Sequence, residues 1–216
     1  MDKSMKKRNV PPLIEKVLAI DVYLTNLLVK WIEQFLAFRQ LRTHYRLLEI
    51  SCHGLIWLPC WIGFVWILSS QNLYQMQVNF FIGLILDIIV VATLKAVTRR
   101  RRPAATVSNS SSFDIGPDKF SFPSGHASRA SYIASFFLFN WPVHFIFVPP
   151  LLCWASSVCI SRILAKRHHL LDIVVGAFLG FVESCFIGLI YLEKDTCTNI
   201  ISWLTDEKLD GGEYHV

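Results

Sequence analysis

The sequence predicts an all-α fold, a polytopic membrane helix bundle with five spanning segments and an N-terminal amphipathic helix lying in the membrane interface. Three observations predict it. Of the 216 residues, 53% are hydrophobic and 17% charged, an apolar excess over what a soluble domain of this length needs. That excess is gathered near residues 47–69, 78–98, 124–140, 143–160 and 170–192, each close to the roughly 20 residues that cross a hydrocarbon core. The polar residues, in turn, collect in the connections between these segments.

The elements follow in chain order. The first residues are basic (Lys3, Lys6, Lys7, Arg8), but Pro11-Pro12 and a charged stretch follow, unlike the apolar run of a cleaved signal peptide. Residues 13–38 place Leu13, Val17, Ile20, Leu24, Leu27, Leu28, Trp31 and Phe35 at helical spacing, interrupted by Glu15, Lys16, Asp21, Lys30 and Glu33. Such a pattern suits a helix lying on the membrane. A basic connector with Arg39, Arg42 and Arg46 completes an N-terminal unit over 1–46. The membrane-embedded unit spans 47–192, and an acidic tail covers 193–216. The 71–77 and Trp141-Pro142 connections are short, as between antiparallel neighbours, whereas 99–122 is a long polar loop. The six cysteines show no C-x-x-C pair, and five lie in apolar stretches, where a thiol packs as a small hydrophobe.

Alternation of five spans puts the loop at 99–122 and the turn at 161–169 on one membrane face. The charges assign that face. Nine Lys/Arg fall within the first 46 residues, five within 99–122 and three within 161–169. The opposite short loops hold none, and the tail has Lys194 and Lys208 among six acids. Positive charge gathers on the cytoplasmic side, so the basic loops are expected there. Asn109-Ser110-Ser111 is a glycosylation sequon in one of them; a glycan on it would reverse the orientation.

Three clusters on that face suit the handling of a phosphate. Lys95 and Arg102 flank the end of the second span, and guanidinium and ammonium groups are the usual donors to phosphoryl oxygens. Lys95, Arg99 and Arg102 would share one face if the helix continued, loosening before Pro103. Arg100 and Arg101 are read as anchors to anionic headgroups. In Pro123-Ser124-Gly125-His126 a loop enters a helix; the helix N-terminus offers N–H groups to an anion, and His126 stands beside it as a proton donor. The alternative is a capped helix start with an incidental histidine. Further on, His168 and Asp172 are four residues apart, and Arg162 precedes them. Asp172 can hold one imidazole nitrogen while the other attacks. A metal site built from His126, His168, His169 and Asp172 is disfavoured, because adjacent helical residues diverge by about 100°; His169 is read as structural. Asp87 and Glu183 lie within spans, where acids face the bundle interior and pair, and Arg129 is the candidate partner.

Together, Lys95 through Arg102-Pro103, the Pro123-Ser124-Gly125-His126 cluster, and Ser161-Arg162 with His168 and Asp172 resemble the three signature motifs of the type 2 phosphatidic acid phosphatase superfamily. With the Leu48-Glu49-Ile50-Ser51-Cys52-His53-Gly54 segment, the pattern is similar to its polyisoprenoid (presqualene) diphosphate phosphatase branch. The resemblance implies that His168 attacks phosphorus, Asp172 orients it, and His126 protonates the leaving oxygen and later activates water. Lys95, Arg102, Ser124, Gly125 and Arg162 would bind the phosphoryl group, with no metal and no cofactor. It implies a lipid phosphate or diphosphate substrate in the bilayer, with no role for nucleic acid, and residence in the endoplasmic reticulum and nuclear envelope with the site facing the cytoplasm. A broad lipid monophosphatase and a catalytically silent scaffold of the same fold are the alternatives.

Overall fold

A computed structural model describes residues 11–34, 42–68, 70–103 and 120–209, and the side chains of all but 42–43 and 203–209 of them; these described residues form eight α-helices. They are α1 (Pro12–Glu33), α2 (Arg42–Ser51), α3 (Gly54–Ile67), α4 (Tyr74–Thr98), α5 (Gly125–Ser135), α6 (Val148–Leu164), α7 (Leu170–Leu189) and α8 (Lys194–Leu209). The sequon at Asn109, the basic residues 3–8 and Arg39 lie outside the described residues. Tyr74–Thr98, Phe145–Leu164 and Leu170–Leu189 are long and apolar enough to cross a membrane, with mean hydropathies of 2.4, 1.6 and 2.1. The chain is an integral membrane protein.

Two of the expected spans take an unexpected form. The first is broken into α2 and α3, bent by 57°. The break falls at Cys52 and His53, where Arg129 Nη1 donates to the Cys52 carbonyl at 3.0 Å. A Cβ on Gly54 would stand 2.8 Å from Arg129 Nη2, so a larger residue there would make the guanidinium shift. The third is α5 continued by a π-helical turn, Phe136–Asn140. From Gly125 to Asn140 this rod is about 24 Å long, short of a hydrocarbon core of about 30 Å. Its burial explains the length. Ala127, Ala130, Tyr132 and Phe136 have no exposed surface, and Asn140 ends the rod by donating to the Ser184 carbonyl.

Close packing of α5 on α7 depends on Gly176 and Gly180. A Cβ on Gly176 would lie 2.6 Å from the Ser124 carbonyl oxygen, and one on Gly180 would overlap the carbonyl of Ser128. The Gly-x-x-x-Gly spacing thus lets two backbones touch. Away from the basic loops, Trp61, Phe80, Tyr132 and Phe136 form an aromatic core, with the Trp61 and Phe80 ring centroids 4.1 Å apart. The start of the acidic tail folds as α8 and docks through buried Cys197 and Ile201. Asn79 Oδ1 accepts the Leu192 N–H ahead of it.

The helical period is realised as α1 as far as Glu33, Phe35 and the rest of 35–38 lying outside the described residues, with an exposed apolar face that includes Leu13, Val17, Ile20, Leu24, Leu27 and Trp31. Its other stripe, Asp21, Thr25 and Val29, is buried against the bundle. In the bundle interior Arg129 pairs with Asp87 at 2.7 Å, the partner expected from sequence, and Glu183 lies against Asp87.

Candidate active site

The second helix of the signature ends earlier than its composition suggests. After Thr98, Arg99 turns left-handed (φ 48°), and its Nε donates to the Ala96 carbonyl. Lys95, Arg99 and Arg102 therefore do not share a helix face. Instead 100–102 runs extended beside 120–121: the Ser121 N–H donates to the Arg100 carbonyl at 2.9 Å and Ser121 Oγ to the Arg101 carbonyl at 3.1 Å. This small pairing fixes the Ser121 carbonyl, which accepts from His168 Nδ1 at 2.7 Å.

That contact sets the chemistry of His168. A carbonyl oxygen can only accept, so Nδ1 carries the proton and Nε2 keeps a lone pair. Asp172 was expected to fill this role directly, but its Oδ2 lies 3.8 Å from Nδ1, beyond hydrogen-bond distance. Its carboxylate is engaged elsewhere: Oδ2 accepts the His169 N–H at 2.9 Å, and Oδ1 accepts from Arg100 Nη1 at 2.6 Å. His169 is accordingly a structural residue, the N-cap of α7.

Arg100 is not a headgroup anchor. Its guanidinium is 13% exposed and joins Asp172 to Asp21 of α1, the latter at 2.5 Å. Arg101 is exposed and pairs through its backbone with Phe120.

Ser124 caps α5, accepting the Ala127 N–H at 3.4 Å, while its own N–H donates to the Asp172 carbonyl at 3.0 Å. The N-termini of α5 and α7 are thus tied together directly. Gly125 faces α4: a Cβ there would stand 3.1 Å from Val91 Cγ1 and 4.0 Å from Lys95 Nζ. The next residue, His126, lies within electrostatic reach of Arg162, Arg129 and Lys95 and of the His168 ring. Among the described residues the buried His126 Nε2 has no hydrogen-bond partner. Its ring meets His53 edge to face at 6.1 Å, and Cys52 Sγ donates to its carbonyl.

Arg162 is almost fully enclosed. Nε donates to Ser161 Oγ at 3.3 Å, Nη2 donates to the Tyr45 carbonyl at 3.0 Å, and Nη1 pairs with Glu49 at 3.4 Å. Five N–H donors allow a guanidinium to hold such supports and still reach a phosphoryl oxygen. The segment from Glu49 to Gly54 therefore forms a wall of the site. His168 sits at its centre, 3% exposed. Burial pushes its pKa below the ordinary histidine value; the neighbouring Asp172 pulls it upward, and the charges of Arg102 and Lys95 push it down again.

All three sequence clusters thus meet in one place, around an imidazole whose Nδ1 donates to the Ser121 carbonyl and which lies near the cations Arg102 and Lys95. Helices apolar enough to cross a membrane and such a site are those of a membrane phosphatase. Comparison with known proteins gives the same class. Residues 77–194 match the PAP2 superfamily. The chain is 35% identical to the probable lipid phosphate phosphatase beta of Arabidopsis thaliana over 165 residues, covering 65% of this chain and 76% of that protein. The crystal structure of Aquifex aeolicus LpxE shares the fold, with a TM-score of 0.53 over 70% of this chain and 87% of that one, at 24% identity. The chain belongs to the PAP2 superfamily, and it is a hydrolase of phosphoric ester bonds.

Proposed function

We propose that this protein is a metal-independent lipid phosphatase that removes phosphate from polyisoprenoid diphosphates through a phosphohistidine on His168. The observation that carries this reading is the Ser121 carbonyl on His168 Nδ1, which leaves Nε2 as the attacking nitrogen. Nε2 forms a bond to the terminal phosphorus as the bond from phosphorus to the lipid-side oxygen breaks. His126 gives its proton to that oxygen; the phosphoryl charge holds it protonated among the surrounding cations. Water then loses a proton to His126 and attacks phosphorus, and the electron pair of the P–N bond returns to Nε2. Lys95, Arg102, Arg162 and the N–H groups around Ser124 and Gly125 stabilise the charge on the oxygens in transit. Asp172 supports the site through Arg100 and the His169 N–H.

In this reading five segments cross the bilayer, α2–α3 and the short α5 rod among them, and α1 lies in the interface with its exposed Leu13, Val17, Leu24 and Trp31 toward lipid. The basic loops face the cytoplasm of the endoplasmic reticulum and nuclear envelope. A site at headgroup level takes a phosphate carried on an apolar tail. The second reading, a lipid monophosphatase, is favoured by the name of the Arabidopsis relative.

Turnover on a panel of farnesyl, geranylgeranyl and presqualene diphosphates against phosphatidate, lysophosphatidate and sphingoid phosphates separates the two. Higher kcat/KM on diphosphates is expected, unaffected by EDTA and blocked by orthovanadate. Preference for monophosphates establishes the second reading, and loss of activity in EDTA contradicts metal independence.

A further inference from the structure

The N-terminal helix α1 lies outside the stretch matched to the superfamily, residues 77–194, yet it reaches the reacting centre. Asp21 Oδ1 accepts the Leu171 N–H at 2.8 Å, and Thr25 Oγ1 accepts the Leu170 N–H at 2.9 Å. These are N-terminal donors of α7, which no residue of that helix can satisfy. Thr25 is itself held, its hydroxyl donating to the Asp21 carbonyl at 2.7 Å. The other oxygen of Asp21, Oδ2, pairs with Arg100 Nη2 at 2.5 Å, and Arg100 Nη1 reaches Asp172 Oδ1 at 2.6 Å. Asp21 is 6% exposed and Asp172 not at all.

Two consequences follow for the site. Geometrically, Arg100 is held from both ends, so the Asp172 carboxylate cannot rotate away from the loop that carries His168. Electrostatically, Arg100 alone would cancel the charge of Asp172 in a buried setting. A second carboxylate on the same guanidinium leaves the group with one net negative charge beside His168. When Nε2 bonds to phosphorus, positive charge develops on the ring, and that residual negative charge stabilises it.

We propose that α1 is part of the catalytic machinery, with Asp21 as a positioning residue that sets Asp172 through Arg100. The proposal rests on His168 as the nucleophile. The buried stripe of Asp21, Thr25 and Val29 is then the working face of α1, and its role goes beyond holding the chain to the lipid surface.

Asp21→Asn in the full-length protein keeps an oxygen for the Leu171 N–H but removes the charge facing Arg100. Its kcat should fall roughly tenfold, the equivalent of about 1.4 kcal/mol, with KM little changed. Turnover is expressed per folded molecule, from the monodisperse fraction in detergent. In the Arg100→Gln background the same Asp21→Asn change should have little further effect, because the path runs through the guanidinium. Unchanged kcat in Asp21→Asn, a loss that only follows the folded fraction, or an effect of equal size with and without Arg100 would each overturn the proposal. His168→Ala is measured beside them: retained turnover there sinks the nucleophile assignment itself, a failure distinct from that of Asp21.

Discussion

At the scale of single residues, the main lesson is that the His168 ring is oriented by backbone. The Ser121 carbonyl, 2.7 Å from His168 Nδ1, leaves no trace in a sequence, since any residue supplies a carbonyl. The signature spacing of His168 and Asp172 marks the right residues and misplaces the contact between them. Burial lowers the pKa of His168, opposed by Asp172 and reinforced by Arg102 and Lys95. A histidine with a depressed folded pKa is protonated only below the ordinary value of 6.5, so the acid limb of kcat/KM should lie below pH 6.5. By the same sign the unfolded chain takes its proton first, and the contribution of this group to stability falls as pH drops below 6.5. Removing one cation should raise the pKa: Arg102→Gln moves the acid limb of the pH profile upward, whatever it does to the plateau. A limb that stays in place or moves down contradicts the electrostatic picture.

Helices were read from sequence more securely than their ends. The apolar runs and period of α1, α4, α6 and α7 were legible because lipid and core both demand them. What was not legible depends on partners far along the chain. Gly54 hints at a break after Cys52, but the partner that occupies it, the Arg129 side chain donating to the Cys52 carbonyl, comes from another helix and cannot be read locally. Arg99 ends α4 by its own backbone geometry, four residues before the proline that should have ended it. The Gly176 and Gly180 pair is a readable pattern whose meaning lies in the α5 backbone it meets. Filling that contact is the test at this scale. Gly180→Val drives a side chain into the Ser128 carbonyl and should cost about 1–3 kcal/mol or more, through overpacking, lowering the unfolding temperature in detergent. The same substitution at Gly63, which has open space around its Cα, is the control, and equal effects at the two sites would contradict the packing.

Considered as a whole, the molecule assembles its site from five distant stretches: α1, the segment at 49–54, the end of α4 with the loop pairing 100–102 with 120–121, the start of α5, and the 161–172 turn. Three of these carry signature residues and could be picked out from the sequence by chemistry. The other two, α1 and 49–54, hold no phosphate-binding signature, and only their contacts, Asp21 with Arg100 and Glu49 with Arg162, reveal their place. Convergence of all five sets the buried imidazole of His168 near Lys95 and Arg102, and the covalent phosphoenzyme proposed above is the claim that this arrangement puts to the test. The direct measurement is a rapid quench of the full-length protein turning over a radiolabelled terminal phosphate, followed by peptide mapping. The account predicts label on His168 that survives alkali and is lost in acid, and no label in His168→Ala. Label on another residue, or full turnover by the His168→Ala protein, would contradict it.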